Sequence, residues 1–491
     1  MAVPLVRLLA AAVTVAALVT VVPPEPAHAA TVSAPAATEP GWELADEIRE
    51  AITPPRIPPR RVTITAHGAD PTGRRDSTDA IAAAITAAAR KGGGKVVVPP
   101  GEYRTGAIHL RSNIELHVSR GATLRFSQDP ADYLPMVHTR WEGIELYNYS
   151  PFVYAYGVHD VAITGEGVLD GQADPEHWWP WKTEPDGHGG VVETEHRNAL
   201  HAMAEQGVPV AQRRFADSKL RPNFVQFYRS STILVSGVTL TNSPMWMIHP
   251  VLSENVLVDG VTLDSPDGPN SDGVNPESSR NVVIRNSRFN NGDDCIAVKS
   301  GRNADGRRIG VPSENIVIHD NRMFAGHGGV VIGSEMSGDV RNVFAERNVM
   351  NSPHLDRALR IKTNSVRGGT VEGVYFRDND VPAVADAVIR INFHYEEGDV
   401  GDFTPTVRGI HIDNVHSVGG EFALYLRGYE RSPITDITIR DSTFSEATTP
   451  MLLEHVRGLT FDNVTINGVS YDGTIDHGPR SHHRTPPALH Q

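Results

Sequence analysis

The sequence predicts an all-β chain: a single-stranded right-handed parallel β-helix. Three observations predict it. Short strands with alternating apolar residues recur along most of the chain, often preceded by asparagine, as in Asn255-Val256-Leu257-Val258, Asn281-Val282-Val283-Ile284 and Asn315-Ile316-Val317-Ile318. Equivalent positions 233, 256, 282, 316, 343, 374, 410, 437 and 459 stand roughly 22 to 36 residues apart, the period of a solenoid coil. No helical pattern falls between these strands. A propeller would repeat at about 40 residues or more, and leucine-rich repeats would carry a Leu/Asn consensus absent here.

The elements follow in order. Arg7, the apolar run Leu8 to Val22 and Ala27-His28-Ala29 read as a secretory signal over residues 1–29, with a mature start at Ala30. Residues 30–60 are Ala- and Pro-rich around a short helix from Trp42 to Ile52, and read as a linker. The β-helix domain spans residues 61–470. It opens with a strand at Val62, a helix introduced by Ser77 and Thr78 and ended by Gly92-Gly93-Gly94, and a strand at Lys95 to Val98. A long interruption between Gly171 and Phe224 holds Trp178-Trp179-Pro180-Trp181 and a polar helical stretch from Glu193 to Ser218. It is either a structural cover or a lid over one end of a cleft, with the tryptophans available to stack on sugars. Residues 471–491 are polar and His-rich, and a disordered tail is expected there.

Composition narrows the function. The formal net charge of −14 argues against nucleic acid as a partner. It also means that an acidic substrate needs a locally basic cleft. The one cysteine, Cys295, excludes a disulfide framework and reads as a small buried core residue. Beyond the N-terminal signal, no stretch is apolar enough to span a bilayer.

The chemistry sits on three carboxylates. Asp272 lies in Asn270-Ser271-Asp272-Gly273, and Asp293-Asp294 follow Gly292 about one coil later. His327, between Gly326 and Gly328, comes one longer coil on, and Arg360-Ile361-Lys362 one more. Equivalent positions on successive coils lie about 4.8 Å apart, so these residues are expected to form one stripe up the outside of the solenoid. Glycoside hydrolysis needs a carboxylic acid for the leaving oxygen and a carboxylate to activate water or attack carbon. Clustered carboxylates cannot all ionise easily, so one keeps its proton. Arg360 and Lys362 point to one side of their strand, and a guanidinium binds a carboxylate bidentately. Coil spacing of about 5 Å would by itself suggest retention of configuration.

These four segments, in this order, resemble the polygalacturonases of glycoside hydrolase family 28, whose fold is the pectin-lyase-like solenoid. The resemblance runs from Arg61 to Val469, with Ser271 standing where the family usually has threonine. It implies inverting hydrolysis of α-1,4-linked galacturonic acid, with Asp293 as general acid, and Asp272 and Asp294 holding and deprotonating the attacking water. His327 would tune the acid. Asn270, Lys299, Arg302, Arg360, Lys362 and Tyr395 would bind the substrate, with Tyr425 a weaker candidate for stacking. The segment Lys299 to Arg308 resembles bacterial exo-acting members, although Arg307 and Arg308 read better as loop surface.

The expectation is therefore a secreted, monomeric, exo-acting pectin hydrolase that takes an acidic polysaccharide and needs no cofactor or metal. An endo-acting, rhamnogalacturonan or xylogalacturonan hydrolase is the alternative within the family. A calcium-dependent β-helix lyase would eliminate rather than hydrolyse, and a non-catalytic binding solenoid would lack the carboxylates.

Overall fold

The computed structural model describes residues 41–187 and 189–479, and the backbone of 481–483. The expected signal segment lies outside the described residues. Over the rest, the chain winds into a right-handed parallel β-helix with three sheets. The nine positions read as equivalent pair in register, from Ile233↔Val256 through to Ile437↔Leu459. All nine side chains are buried in the single long core.

The asparagines that precede these strands have a physical role. Asn255, Asn281, Asn315 and Asn342 all take positive φ, between 54° and 59°, a left-handed turn that asparagine tolerates better than most residues. Their side-chain amides then donate up the column: Asn281 to Asn255, Asn315 to Asn281, and Asn342 to Asn315, at 3.0–3.2 Å. One residue type supplies both the corner and the ladder.

The helix Thr78–Ala89 turns Ile81, Ala84, Ile85 and Ala88 into the first coils and closes that end. Ser77 precedes it but does not cap it; its hydroxyl accepts from the Asp70 amide instead. A second helix, Trp42–Ala51, forms where the sequence places one, but the segment is not a linker. Ala45 and Ile48 bury against Leu257, Val283, Val317, Phe344 and Tyr375, and Arg49 pairs with Glu346 at 2.8 Å. A third departure is the short helix Asn303–Ile309, inserted between coils.

The tail expected to be disordered is ordered at its start. Val469–His477 turns back and pairs antiparallel with Val456–Ile466, and Ser481–His483 pairs antiparallel with the last strand of another sheet. Alternating Tyr471 and Ile475 bury while their neighbours face out, the period-2 pattern that polar composition masked. Residues 484–491 lie outside the described residues.

The long interruption resolves toward its structural reading. Trp178 packs edge-on against Tyr133 and Phe152, and the Trp179 indole donates to the Ser243 carbonyl at 2.9 Å. Both rings are buried, so neither offers a face to a sugar. The helix Thr194–Glu205 buries Leu200 and Ala204 in a satellite core with Trp141, Ile144, Phe215 and Trp246. That core supports an antiparallel hairpin, Val137–Trp141 with Ile144–Asn148, laid along the outside of the solenoid.

Candidate active site

The carboxylates Asp272, Asp293 and Asp294 converge, with one oxygen of each within 4.8 Å of one oxygen of the others. They leave the same sheet as its strands begin. Val274 bridges to Ile296, which pairs with Val330, so Asp294 lies one coil beyond Asp272, and His327 one coil beyond Asp293. The expected single stripe is not what forms. Lys362 is in register with Gly333, and Arg360 with Val331, so both cations lie further along the strand direction than His327. They reach back across two coils, making a patch rather than a column.

Each carboxylate has its own cation. Asp294 is fully buried and receives Arg360 at 3.1 Å and Lys362 at 2.7 Å. Burial opposes its ionisation, but Lys362 and then Arg360 outweigh it and hold its carboxyl below the usual range. Asp293 is the most open of the three, with its side chain 16 % exposed, and Nδ1 of His327 lies 3.0 Å from it. Burial again opposes ionisation, and the His327 hydrogen bond and charge overcome it, so Asp293 is also held low. That same hydrogen bond raises His327. Asp272 is the exception. It accepts from Asn275 at 3.1 Å, and Lys299 stands at 3.6 Å. Burial, reinforced by the charge of Asp293, pushes its carboxyl well up, so of the three Asp272 is the one that most resists ionisation.

Asn270, Lys299, Arg302, Lys362 and Tyr395 line the same pocket as Asp272, Asp293 and His327, a space of ≈ 160 Å³. Arg360 flanks it, its guanidinium 5.5 Å and the Lys362 ammonium 5.2 Å from the Tyr395 ring centre. Arg307 and Arg308 stay outside: Arg307 lies on Phe403 and donates to the Val366 and Arg367 carbonyls, and Arg308 pairs with Glu145 and Asp305. Tyr425 is buried beneath Arg390, 3.8 Å from its ring centre. Cys295 is buried with its thiol pushed well up by burial and the adjacent aspartates, which removes a thiolate from consideration.

Sequence reasoning missed Glu142, Trp246, Ser334, Glu335 and Glu396, all of which line the pocket. Glu335 pairs with Lys299 at 2.9 Å and with Arg302 at 3.3 Å. Burial disfavours its charge, yet Lys299 and Arg302 hold it ionised. Arg302 also meets Glu142, Glu396 and Glu397 within 3.6 Å. Trp246 lies under the Lys299 ammonium, 4.5 Å away. Glu335 follows the strand that pairs with the one preceding Lys299, so coil register could have found it. Glu142, at the tip of a hairpin over a hundred residues upstream, leaves no periodic signal.

The pocket is closed at one end. The tip Glu142-Gly143 of the hairpin docks on Arg302, whose amide donates to the Gly143 carbonyl at 3.0 Å. Gly143 has φ 82°, and a Cβ there would meet the Arg302 amide nitrogen at 2.6 Å. At His327 the pocket meets a larger cleft of ≈ 740 Å³ lined by Pro266, Phe324, His354 and Asp356. A divalent ion among the three aspartates would have to displace Lys362, Arg360 or Lys299, so the donor set favours cation-paired carboxylates over a metal centre.

The sequence model of glycosyl hydrolases family 28 matches residues 209–452. A probable polygalacturonase from Vitis vinifera is 31% identical over 369 residues, 72% of this chain and 67% of its own length. An exo-poly-alpha-D-galacturonosidase from Dickeya chrysanthemi is 26% identical over 84% of this chain and 68% of its own. Among solved structures, a hyperthermoactive exopolygalacturonase from Thermotoga maritima superposes with a TM-score of 0.85 at 47% identity, covering 90% of this chain and 99% of that one.

Proposed function

The chain belongs to glycosyl hydrolases family 28 and is a glycoside hydrolase, and from that premise we propose that it removes galacturonate units from the end of an α-1,4-linked acidic polysaccharide. One observation carries this reading: Asp272 and Asp293, with Asp294 buried behind them, line a pocket that the Glu142-Gly143 tip closes and that opens into a larger cleft at His327. The terminal sugar occupies the pocket and the remaining chain occupies the cleft. Lys299, Arg302, Arg360 and Lys362 supply the positive charge that its carboxylate needs, within a protein of net charge −14.

The three aspartates divide the chemistry. Asp294, clamped by Arg360 and Lys362, stays ionised throughout. Asp293, most open to the pocket, reaches the leaving oxygen. The resting proton is on Asp272 and passes across the triangle to Asp293, a transfer that makes an acid of one and a base of the other. Water then bonds through its oxygen to the anomeric carbon as the glycosidic bond breaks. Asp293 gives its proton to the leaving oxygen, and the proton of water goes to Asp272 beside Asp294, which resets the pair. A water held on the face opposite Asp293 yields inversion.

Product analysis on polygalacturonate tests the reading. Monomer from the earliest time point, with no unsaturated product and with EDTA present, is expected. A ladder of oligomers would assign endo action, unsaturated product would assign elimination, and no product would point to another pectic backbone. Proton NMR of the first product reads its anomer, and the β form is expected. An exported protein is part of the same proposal, supported by the N-terminal Arg7 to Ala29 pattern and by a polymeric substrate.

A further inference from the structure

On the face that carries the pocket, four strand steps before Lys299, lies a ring cluster that the reaction does not use. The column runs Tyr156, Tyr228, Val251, Glu277, Lys299, which separates Tyr156 from Lys299 by about 19 Å at the usual strand spacing. Tyr156 is 46% exposed. Its ring stacks on Tyr228 with centroids 5.5 Å apart and planes 25° apart. His138, from the base of the hairpin, lies 5.8 Å from Tyr156, 5.1 Å from Tyr228 and 5.5 Å from Tyr147. Two exposed guanidinium groups edge the rings: Arg214, 5.1 Å over Tyr147, and Arg229, 5.9 Å over Tyr228.

The ground beneath is basic. Arg229 and Arg308 share the buried Glu145, Arg213 and Arg308 share the buried Asp305, and Arg140 pairs with Glu277. With Arg214, five arginines face three carboxylates, a local excess of positive charge on a chain of net charge −14. Aromatic faces take the apolar face of a sugar ring, and planar guanidinium groups take its carboxylate.

We propose that this platform is a second binding site for an acidic polysaccharide, stacking a sugar ring on Tyr156 and pairing its carboxylates with Arg214 and Arg229. In the reading proposed above the terminal sugar fills the pocket and the rest of its chain leaves through the cleft at His327, so a chain whose end is in the pocket does not continue onto the rings. The platform holds a different stretch or a different molecule, and keeps the enzyme on the polymer between cleavages. The choice of an acidic sugar chain rests on the substrate class proposed above.

The test uses the full chain carrying Asp293→Asn, so that polymer is retained rather than consumed, with co-sedimentation on insoluble calcium pectate as the readout. Tyr156→Ala and Arg214→Gln in that background are each expected to weaken retention about tenfold. In the active protein both variants keep wild-type kcat/KM on soluble trigalacturonate and lose rate on the insoluble polymer. Undiminished retention in both variants overturns the proposal. So does weaker retention accompanied by a changed sedimentation coefficient of the protein alone, which assigns the rings to contact between copies. If the wild-type protein cleaves no polygalacturonate, it is the substrate reading that fails. Retention of the Asp293→Asn protein on pectate but not on a neutral polymer then upholds the platform by itself, and equal retention on both overturns it.

Discussion

At the residue scale, the pocket is built from buried charges that depend on one another. Glu335 is the partner of Lys299 and Arg302 together. Glu335→Gln leaves two buried cations short of a countercharge and is expected to cost about 3–5 kcal/mol, read as a lowered denaturation midpoint at unchanged slope. Asp293→Asn is expected to cut hydrolysis about 10²–10⁴-fold with the melting temperature little changed; activity near wild type would remove Asp293 from its role. Asp272 gives a signed pH prediction. Its folded pKa is raised, so the stability it contributes is present below its unfolded value of about 3.9 and is lost as pH rises through the folded one. Asp272→Asn escapes that loss. Melts across acid to neutral pH should therefore show the variant gaining on wild type above about pH 4, by at most about 1.4 kcal/mol per pH unit. The motif residues were legible because each is local: a carboxylate beside a glycine at coil spacing. Glu142 and Glu396 were not, because each arrives on a separate excursion from the solenoid and meets the site through Arg302.

At the scale of elements, alternation and turn chemistry made the strands readable down to their pairing register, since a slip of one residue would expose every core side chain. What escaped were elements whose meaning lies in what they cover. The hairpin Val137–Trp141 and Ile144–Asn148 has no internal feature that says where its tip will dock. Its tip nonetheless closes the pocket. Gly143→Val is expected to push the tip off Arg302, since its φ is 82° and the Arg302 amide nitrogen stands 2.6 Å from the new Cβ. The expected outcome is a raised KM for short oligogalacturonides and the appearance of oligomeric products, checked by chromatography of early time points. Monomer alone at wild-type KM would show that the tip does not bound the site.

At the scale of the whole molecule, a solenoid is a stack in which each coil touches only its neighbours, so such folds unravel piecewise. The amide ladder Asn255 to Asn342 obeys this rule, each member bonding to the next. The helix Trp42–Ala51 breaks it. Leu257, Val283, Val317, Phe344 and Tyr375 belong to five successive coils, and one helix lies across all five. It acts as a splint across coils that, apart from the reach of Arg360 and Lys362 back to Asp294, touch only their neighbours. Those coils include the ones that bring Asp272, Asp293, His327 and Arg360 together, so a tether packed on a different sheet keeps the coils of the carboxylate patch in step. Arg377 lies 3.7 Å over the Trp42 ring, and Trp42→Ala should loosen that tether. Calorimetry is then expected to show the single unfolding transition broaden or divide, with activity lost in the earlier part. A segment that reads as a spacer between an export signal and a domain is, in mechanical terms, the cross-brace of the stack.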